Sequence, residues 1–167
     1  MLRPLQLADS SVLVDWEADA VFCAHAGWKP NRLPALADAW WREQILHPDP
    51  MLIRLLAVVD GSPVGYADLY GDDLEERELG YLIAPSARWG QGLGSATART
   101  ALDHGFRVLG LRRVWAEAVE ANEASVRVLR RLGMRPMGDG DVESFLGQPS
   151  RYLRFELFQE EWALAST

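Results

Sequence analysis

A glycine-rich segment, RWGQGLGSA at residues 88–96, constrains the fold of this chain more than any other feature. It stands between a short β-rich run and a long helical pattern, and it has glycine at every second position: Gly90, Gly92 and Gly94. Glycine adopts positive φ without steric cost and lets a ligand approach the backbone closely. A helix that starts there adds unpaired N–H groups and a positive dipole end. The segment therefore predicts a site for a pyrophosphate-like anion.

Two familiar phosphate-binding loops fit this segment poorly. A Walker A loop is excluded because no lysine follows the last glycine. A dinucleotide-binding fingerprint matches at Gly90 and Gly92, but Ser95 stands at its third glycine position. In addition, six residues that include Pro85 separate the strand from the loop, whereas the fingerprint follows its strand directly. A glycine turn that binds no ligand stays open as an alternative.

The length and composition predict one ordinary globular domain over residues 1–167. The chain is 49% hydrophobic and 25% charged, and its 17 basic and 24 acidic residues give a net charge of −7, which argues against a nucleic-acid binder. Its single cysteine, Cys23, excludes an internal disulfide and a cysteine-based metal site, and we expect no metal. The sequence has neither a bilayer-spanning apolar run nor a signal-peptide layout, so we expect a cytoplasmic protein that binds no membrane.

The hydrophobic patterns predict alternating strands and helices. The predicted strands are 2–7, 53–59, 64–69, 78–83, 113–119, 134–137 and 152–158, and the predicted helices are 12–21, about 36–45, 95–109 and 122–132. Antiparallel strands come first, and strand–helix–strand units follow. This order predicts an α/β (α+β) fold in which a mixed, largely antiparallel sheet of six or seven strands has helices on both faces.

Two motifs in the right order resemble those of the GNAT superfamily of acyl-CoA N-acyltransferases. WGQGLG (89–94) resembles motif A except for Trp89, and NEASVRVLRRLGM (122–134) resembles motif B, with Met134 in place of phenylalanine. Together with ELGYLIAP (78–85), they are similar to the branch that includes the ribosomal-protein alanine N-acetyltransferases. The resemblance implies acceptor-side elements in residues 1–50, an acetyl-CoA-binding core in residues 51–135, and C-terminal strands in residues 136–167.

The same resemblance implies which residues hold acetyl-CoA, the co-substrate. Backbone N–H groups of the loop would bind its pyrophosphate, and the strand before the loop would pair with the pantetheine arm. Ile83 N–H would stabilise the oxyanion, and Asn122 and Ser125 would touch the pantetheine or its thiol. The implied contacts are Leu82, Ile83, Ala84, Trp89, Gly90, Gln91, Gly92, Leu93, Gly94, Ser95, Asn122 and Ser125.

Acetyl transfer to an amine also needs a base and a proton for the leaving thiolate. Glu78 is the first candidate base, although a solvated carboxylate in the acidic run 72–78 explains it equally well; Asp68 is the second candidate. The tyrosine that many relatives carry in motif B falls at Leu129, which cannot donate a proton. Possible donors are Ser125, Tyr81 and Tyr152, or the thiolate leaves with help from solvent. An acetyl-enzyme on Cys23, with His25 as its base, is a weaker alternative.

The acceptor is expected in the N-terminal region, where Phe22, Trp28, Trp40 and Trp41 form either an aromatic pocket for an amine or simply core packing. Residues 1–87 contain 6 basic and 14 acidic residues, which favours a cationic acceptor. We therefore expect an enzyme that acetylates a primary amine by direct attack in a ternary complex, the amine being a protein N-terminus or a small molecule. A non-catalytic acyl-CoA-binding module is the alternative, and a homodimer stays open.

Overall fold

A computed structural model describes residues 1–165, except for the side chain of residue 165. These residues are arranged around one twisted sheet. Its strands are β1 (Leu2–Pro4), β2 (Leu52–Val59), β3 (Ser62–Tyr70), β4 (Glu76–Ile83), β5 (Arg113–Val119), β6 (Arg135–Phe145) and β7 (Gln148–Phe158). They lie in the order β1-β2-β3-β4-β5-β7-β6. All neighbouring strands are antiparallel except β4 and β5, which run parallel.

The pairing of β4 with β5 is short. It covers three residue pairs, from Glu76 opposite Arg113 to Glu78 opposite Trp115. β4 continues to Ile83 and β5 to Val119, so their later residues diverge without pairing. The edge of β4 that faces β5 is therefore open beyond Glu78.

Within residues 1–165, six α-helices cover the sheet: α1 (Ser10–Trp16), α2 (Ala20–Ala26), α3 (Pro34–Leu46), α4 (Leu93–Asp103), α5 (Glu123–Arg131) and α6 (Gln159–Ala165). On one face, residues of α4 and α5 such as Leu102 and Leu129 pack with Phe155 of β7. On the other face, α1–α3 pack against Leu56 and Leu82 of the sheet. The predicted mixed sheet with helices on both faces is confirmed.

Two stretches near the N-terminus differ from the sequence prediction. The predicted helix 12–21 is two helices, because Asp19 caps a new one: its carboxylate accepts a hydrogen bond from Phe22 N–H at 2.9 Å. The predicted first strand, residues 2–7, ends at Pro4 and is followed by a 3₁₀ turn, Leu7–Asp9.

Two later elements also differ in length. The predicted strand 134–137 is an eleven-residue strand that pairs with β7 in a long, mostly exposed hairpin. The sequence of this strand is mostly polar and shows no alternation of polar and apolar residues, so its full length was not predicted. The predicted helix 95–109 begins at Leu93 and, beyond Asp103, continues as a π-helical turn, His104–Val108.

Gly65 of β3 provides a test of how closely β3 and β4 pack. Its φ is +150°, and a Cβ there would lie 2.0 Å from the carbonyl oxygen of Leu82. Gly65→Ala should therefore lower the free energy of unfolding by about 3 kcal/mol, measured by urea denaturation. Gly61→Ala is the matched control, because Gly61 also has positive φ but would place its Cβ in open space, at a cost of about 1 kcal/mol. Equal losses in the two variants would contradict the close packing.

Candidate active site

The open edge of β4 presents backbone groups to the gap between β4 and β5. Ala84 N–H donates to the carbonyl of Val64 on β3 at 3.0 Å. Backbone groups in an antiparallel pair alternate in direction along the strand, so those of Leu82 and Ala84 face β3 and those of Tyr81 and Ile83 face the gap. The carbonyl of Ile83 accepts a hydrogen bond from the Trp89 indole at 2.7 Å. The N–H of Ile83 and the backbone groups of Tyr81 are left to face the gap.

The glycine loop enters α4 beside this gap. Gly90 and Gly92 have φ of +76° and +78°, and a Cβ at either position would meet nothing within 4 Å. Gly92 is the N-cap residue of α4, and its carbonyl accepts the first hydrogen bond of the helix, from Ala96 N–H. The N–H groups in the first turn, from Leu93 to Ser95, therefore have no acceptor within the helix. These free N–H groups can hold a phosphate or pyrophosphate, whereas Trp89 N–H, in the segment 89–95 predicted for that task, already donates to the carbonyl of Ser86 at 3.0 Å.

The start of α5 meets β4 on the same face of the sheet as α4. Asn122 caps α5, since its side-chain oxygen accepts from Ser125 N–H at 3.2 Å. The Ser125 hydroxyl lies 3.0 Å from the hydroxyl of Tyr81. Burial raises the pKa of Tyr81 to about 12, although its hydrogen bond with Ser125 opposes the shift. Tyr81 therefore stays protonated at neutral pH and can act as a proton donor, whereas Leu129, at the position of the motif B tyrosine, is buried in the core.

Glu78 lies on the opposite face, at the point where the gap opens. Burial raises the pKa of its carboxyl, the nearby Glu117 raises it further, and Arg154 lowers it. Glu117 forms an ion pair with Arg154, with 3.2 Å between the Oε1 and Nε atoms. Tyr152 belongs to the same cluster, because burial and then the charges of Glu143, Glu117 and Glu78 raise its pKa. The cluster places two carboxylates where a cationic amine would approach the gap.

Glu117 and Arg154 were not among the residues predicted for this site. They lie on the neighbouring strands β5 and β7, and only the strand order brings them next to Glu78. Asp68, the second candidate base, is held in a two-pronged ion pair with Arg54, at 2.8 and 2.6 Å. Within residues 1–165, the carboxylate of Glu78 accepts no hydrogen bond, so it is the freer of the two candidates.

The predicted aromatic residues divide between pocket and core. Trp28, Trp40 and Trp41 line a cavity of about 250 Å³ together with Tyr66, so those three predicted residues do come together. Phe22 instead is buried in the core, with its ring 5.0 Å from that of Trp28.

Cys23 and His25 do not form a catalytic pair. The Cys23 thiol is fully buried, lies 3.6 Å from the carbonyl oxygen of Glu17, and has a pKa raised by burial. The His25 ring contacts the carbonyl of Val21 and packs against Trp89 instead. This geometry argues against an acetyl-enzyme on Cys23. Among residues 1–165 there is also no cluster of three potential metal ligands, and none of the helices has the length and apolarity to cross a membrane.

Comparisons with known proteins agree with this geometry. Residues 1–135 match the family model described as the acetyltransferase (GNAT) domain. Spermidine N(1)-acetyltransferase of Escherichia coli (strain K12) is 29% identical over 111 residues, which cover 65% of this chain and 60% of that protein. The matched region therefore spans about three fifths of the length of that curated relative.

Solved structures share the fold over nearly the whole chain. A crystal structure described as a probable acetyltransferase is 25% identical, with a TM-score of 0.78, over 96% of this chain and 93% of that one. The spermidine N-acetyltransferase of Vibrio cholerae, in complex with CoA and spermine, has a TM-score of 0.80 at 19% identity, over 98% of this chain and 97% of that one.

The charges around Glu78 give a prediction for two variants with opposite effects. Glu117→Gln removes a neighbouring negative charge and leaves Arg154 unpaired, so the pKa of Glu78 should fall. Arg154→Gln removes the positive charge, so the same pKa should rise further above its usual range. The measurement is an NMR titration of the Glu78 carboxyl carbon, with Arg127→Gln as the control on exposed α5. Shifts of the same sign in both variants would contradict the proposed cluster.

Proposed function

The chain belongs to the GNAT acetyltransferase family, and on that premise we propose that it transfers the acetyl group of acetyl-CoA to a primary amine. One observation carries the proposal: the open edge of β4 runs from Glu78 to Ile83 and ends beside the glycine loop. Along this edge lie an anion-binding backbone, a free strand edge, a half-buried carboxylate and a protonated tyrosine. These are the groups that the reaction requires.

The binding of acetyl-CoA follows from the backbone of the loop and of β4. The N–H groups from Gly90 to Ser95 would bind the pyrophosphate, and the pantetheine arm would lie in the gap and pair with the free backbone groups of Tyr81. The Trp89 indole occupies the Ile83 carbonyl, whereas the Ile83 N–H faces the gap and would meet the thioester. The predicted contacts of Leu82, Ala84, Asn122 and Ser125 with the pantetheine stay predictions.

Ile83 N–H and Glu78 have separate tasks in the proposed reaction. An alkylamine with a pKa near that of lysine, about 10.4, is almost wholly protonated at neutral pH. Glu78 would take its proton, and the free amine would then attack the thioester carbonyl. The oxygen of that carbonyl becomes an oxyanion, and a preset donor such as Ile83 N–H is commonly worth about 3 kcal/mol of barrier.

The departure of the thiolate completes the reaction. The oxyanion reforms a carbonyl as the C–S bond breaks, the attacking nitrogen loses its surplus proton to solvent, and the sulfur takes a proton from the Tyr81–Ser125 pair, on the face of the sheet opposite Glu78. Glu78 releases the proton that it took from the amine to solvent. Solvent then returns a proton to the pair. Direct transfer in a ternary complex is favoured over an acetyl-enzyme, since Cys23 lies in the core with its thiol among backbone carbonyls.

The proposed acceptor is a primary amine, either a protein N-terminus or a small molecule. Glu78 and Glu117 supply negative charge at the gap, which suits the ammonium form of either one. The likeness to spermidine acetyltransferases supports the small-molecule class.

An acceptor panel tests the proposal. Thiol release from acetyl-CoA should depend on an added amine, and Glu78→Gln should lower kcat by at least about 100-fold because general-base assistance is lost. Because a glutamine does not titrate, the rise of kcat/KM with pH that belongs to the Glu78 carboxyl should also disappear. Binding of CoA without transfer to any amine would instead favour the non-catalytic acyl-CoA-binding module.

The glycine loop has its own test. Gly92→Asp would place a negative charge at the start of α4 and should reduce CoA affinity by at least 100-fold, measured by calorimetric titration. Gly110→Asp is a matched control, because Gly110 has a similar φ of +72°, also in open space, but lies beyond the far end of the helix. Retained CoA affinity in Gly92→Asp would overturn the loop assignment.

A further inference from the structure

The cavity lined by Trp28, Trp40 and Trp41 lies on the acceptor face of the sheet, the face that α1–α3 cover. We call it the aromatic–arginine pocket and define it by Trp28, Trp41, Tyr66, Lys29, Arg32 and Arg54, which line the cavity of about 250 Å³. Glu17 and Trp40 complete its wall. The aromatic residues here were expected either to form a pocket for an amine or to pack in the core. The contacts made by the arginines point to the opposite charge.

The carboxylates of the pocket are already neutralised. Glu17 is buried and accepts hydrogen bonds from Arg32 on both of its oxygens and from the Trp41 indole at 3.0 Å. Asp68 is held in the same way by Arg54. Lys29 forms no ion pair within residues 1–165. Three cations against two carboxylates leave the pocket with a net positive charge, although the chain as a whole carries −7.

Guanidinium groups already lie over three of the four aromatic rings that line the pocket, namely Trp40, Trp41 and Tyr66. The Arg32 guanidinium lies 4.9 Å from the centre of the Trp40 ring, and that of Arg54 lies 4.3 Å from the centre of Tyr66. A cation binds an aromatic residue over its face, so an ammonium group would have to displace a guanidinium that is itself held by a carboxylate. The pocket is therefore a poor site for a cationic ligand.

The arginines leave donors unused. In each arginine, Nε and Nη2 donate hydrogen bonds to the paired carboxylate. No hydrogen bond within residues 1–165 uses Nη1 of Arg32 or of Arg54. Neither Nη1 atom is among the fully buried unsatisfied atoms of the described chain, so both stay accessible. Accessible guanidinium donors with an unpaired lysine nearby are typical of a site for a carboxylate.

The strand register places this pocket near the amine site. Arg54 pairs across β2 and β3 with Asp68, and Asp68 lies opposite Gly80 on β4. Gly80 is two residues from Glu78, on the same face. With strands about 4.8 Å apart, Arg54 lies on the order of 10 Å from the Glu78 region of β4. One acceptor molecule can therefore reach both sites.

We propose that the aromatic–arginine pocket binds a carboxylate at the far end of the acceptor. The inference rests on the proposed acetyl transfer and narrows its substrate to an amine that carries a carboxylate about 7–10 Å away, the span of a two- or three-residue peptide. An ω-amino acid of equal length also carries an amine at one end and a carboxylate at the other. The tryptophan rings suit an apolar body between the two charged ends. A polyamine is cationic at its amine nitrogens and carries no carboxylate, so it does not fit this pocket.

Acetylation kinetics test the inference with pairs of acceptors that differ only at the far end. A dipeptide, a tripeptide and an ω-amino acid of equal length are each compared with their carboxamide forms, and spermidine is the cationic arm. The best carboxylate form should have a kcat/KM at least about tenfold above its amide, mainly through KM, because a charged hydrogen bond is lost in the amide. Which of the carboxylate forms has the highest kcat/KM distinguishes a peptide acceptor from an ω-amino acid. A preference for the amide or for spermidine would overturn the inference.

Lys29→Glu should remove most of this preference for the carboxylate, because it replaces an unpaired cation of the pocket with a negative charge. Arg42→Glu, the same charge change at an exposed position of α3 outside the pocket, should keep the preference. Arg54→Lys, which keeps the charge but loses the fork of donors, should weaken it. Equal effects of Lys29→Glu and Arg42→Glu would indicate a general charge effect and overturn the assignment.

Tryptophan fluorescence separates this inference from the proposed function. Trp28 and Trp41 line the pocket, so the carboxylate forms should change their emission at lower concentration than the amides, whether or not acetyl transfer occurs. Selective binding without transfer would leave the pocket assignment standing and contradict the proposed function. Transfer to amines without any preference for the carboxylate form, in binding or in rate, would support the proposed function and contradict the pocket assignment.

Discussion

The parallel pairing of β4 with β5 ends after Glu78 and Trp115, and the rest of the site depends on that early end. Had the pairing continued, β5 would have satisfied the backbone groups of Tyr81 and Ile83, and no co-substrate would find a free strand edge. α4 begins beside this edge, because a Cβ at Gly94 would lie in ordinary van der Waals contact with the side chains of Tyr81, at 3.6 Å, and Ile83, at 3.9 Å. The helix start and the strand edge thus meet at one end of the gap.

The alternation of side chains along β4 then divides the chemistry between two faces. Tyr81 and Glu78 differ by an odd number of positions, so they lie on opposite faces of the sheet. Tyr81 meets Ser125 on the side of α4 and α5, and Glu78 meets Glu117 and Arg154 on the acceptor side. A proposed proton acceptor for the amine and a proposed donor for the thiolate are thereby separated by the strand that would hold the thioester. This arrangement suits direct transfer and needs no residue to carry the acetyl group.

Local patterns predicted much of this structure from the sequence. The glycine loop, the capping Asn122 and the strand up to Ile83 each leave a signal within a few residues, and the predicted mixed sheet and superfamily are confirmed. Contacts between distant segments leave no such signal. The pairing of Glu117 with Arg154, the Trp89 indole on the Ile83 carbonyl and the guanidinium of Arg54 over Tyr66 all depend on strand order or on the path of a loop. Asp19 caps α2 and so divides one apolar pattern into two helices. Aspartate is a typical helix-start residue, but the hydrophobic spacing continues across it, and the sequence therefore predicted one helix.

A crystal structure of the CoA complex tests the central claim most directly. The pantetheine is expected to lie in the gap and to pair with the backbone groups of Tyr81, with its thiol end beside Ile83 N–H and the pyrophosphate on the N–H groups of residues 90–95. The thiol should lie between Glu78 on one face and the Tyr81–Ser125 pair on the other. CoA bound away from the β4 edge, or β4 and β5 pairing beyond Glu78 in the complex, would contradict it.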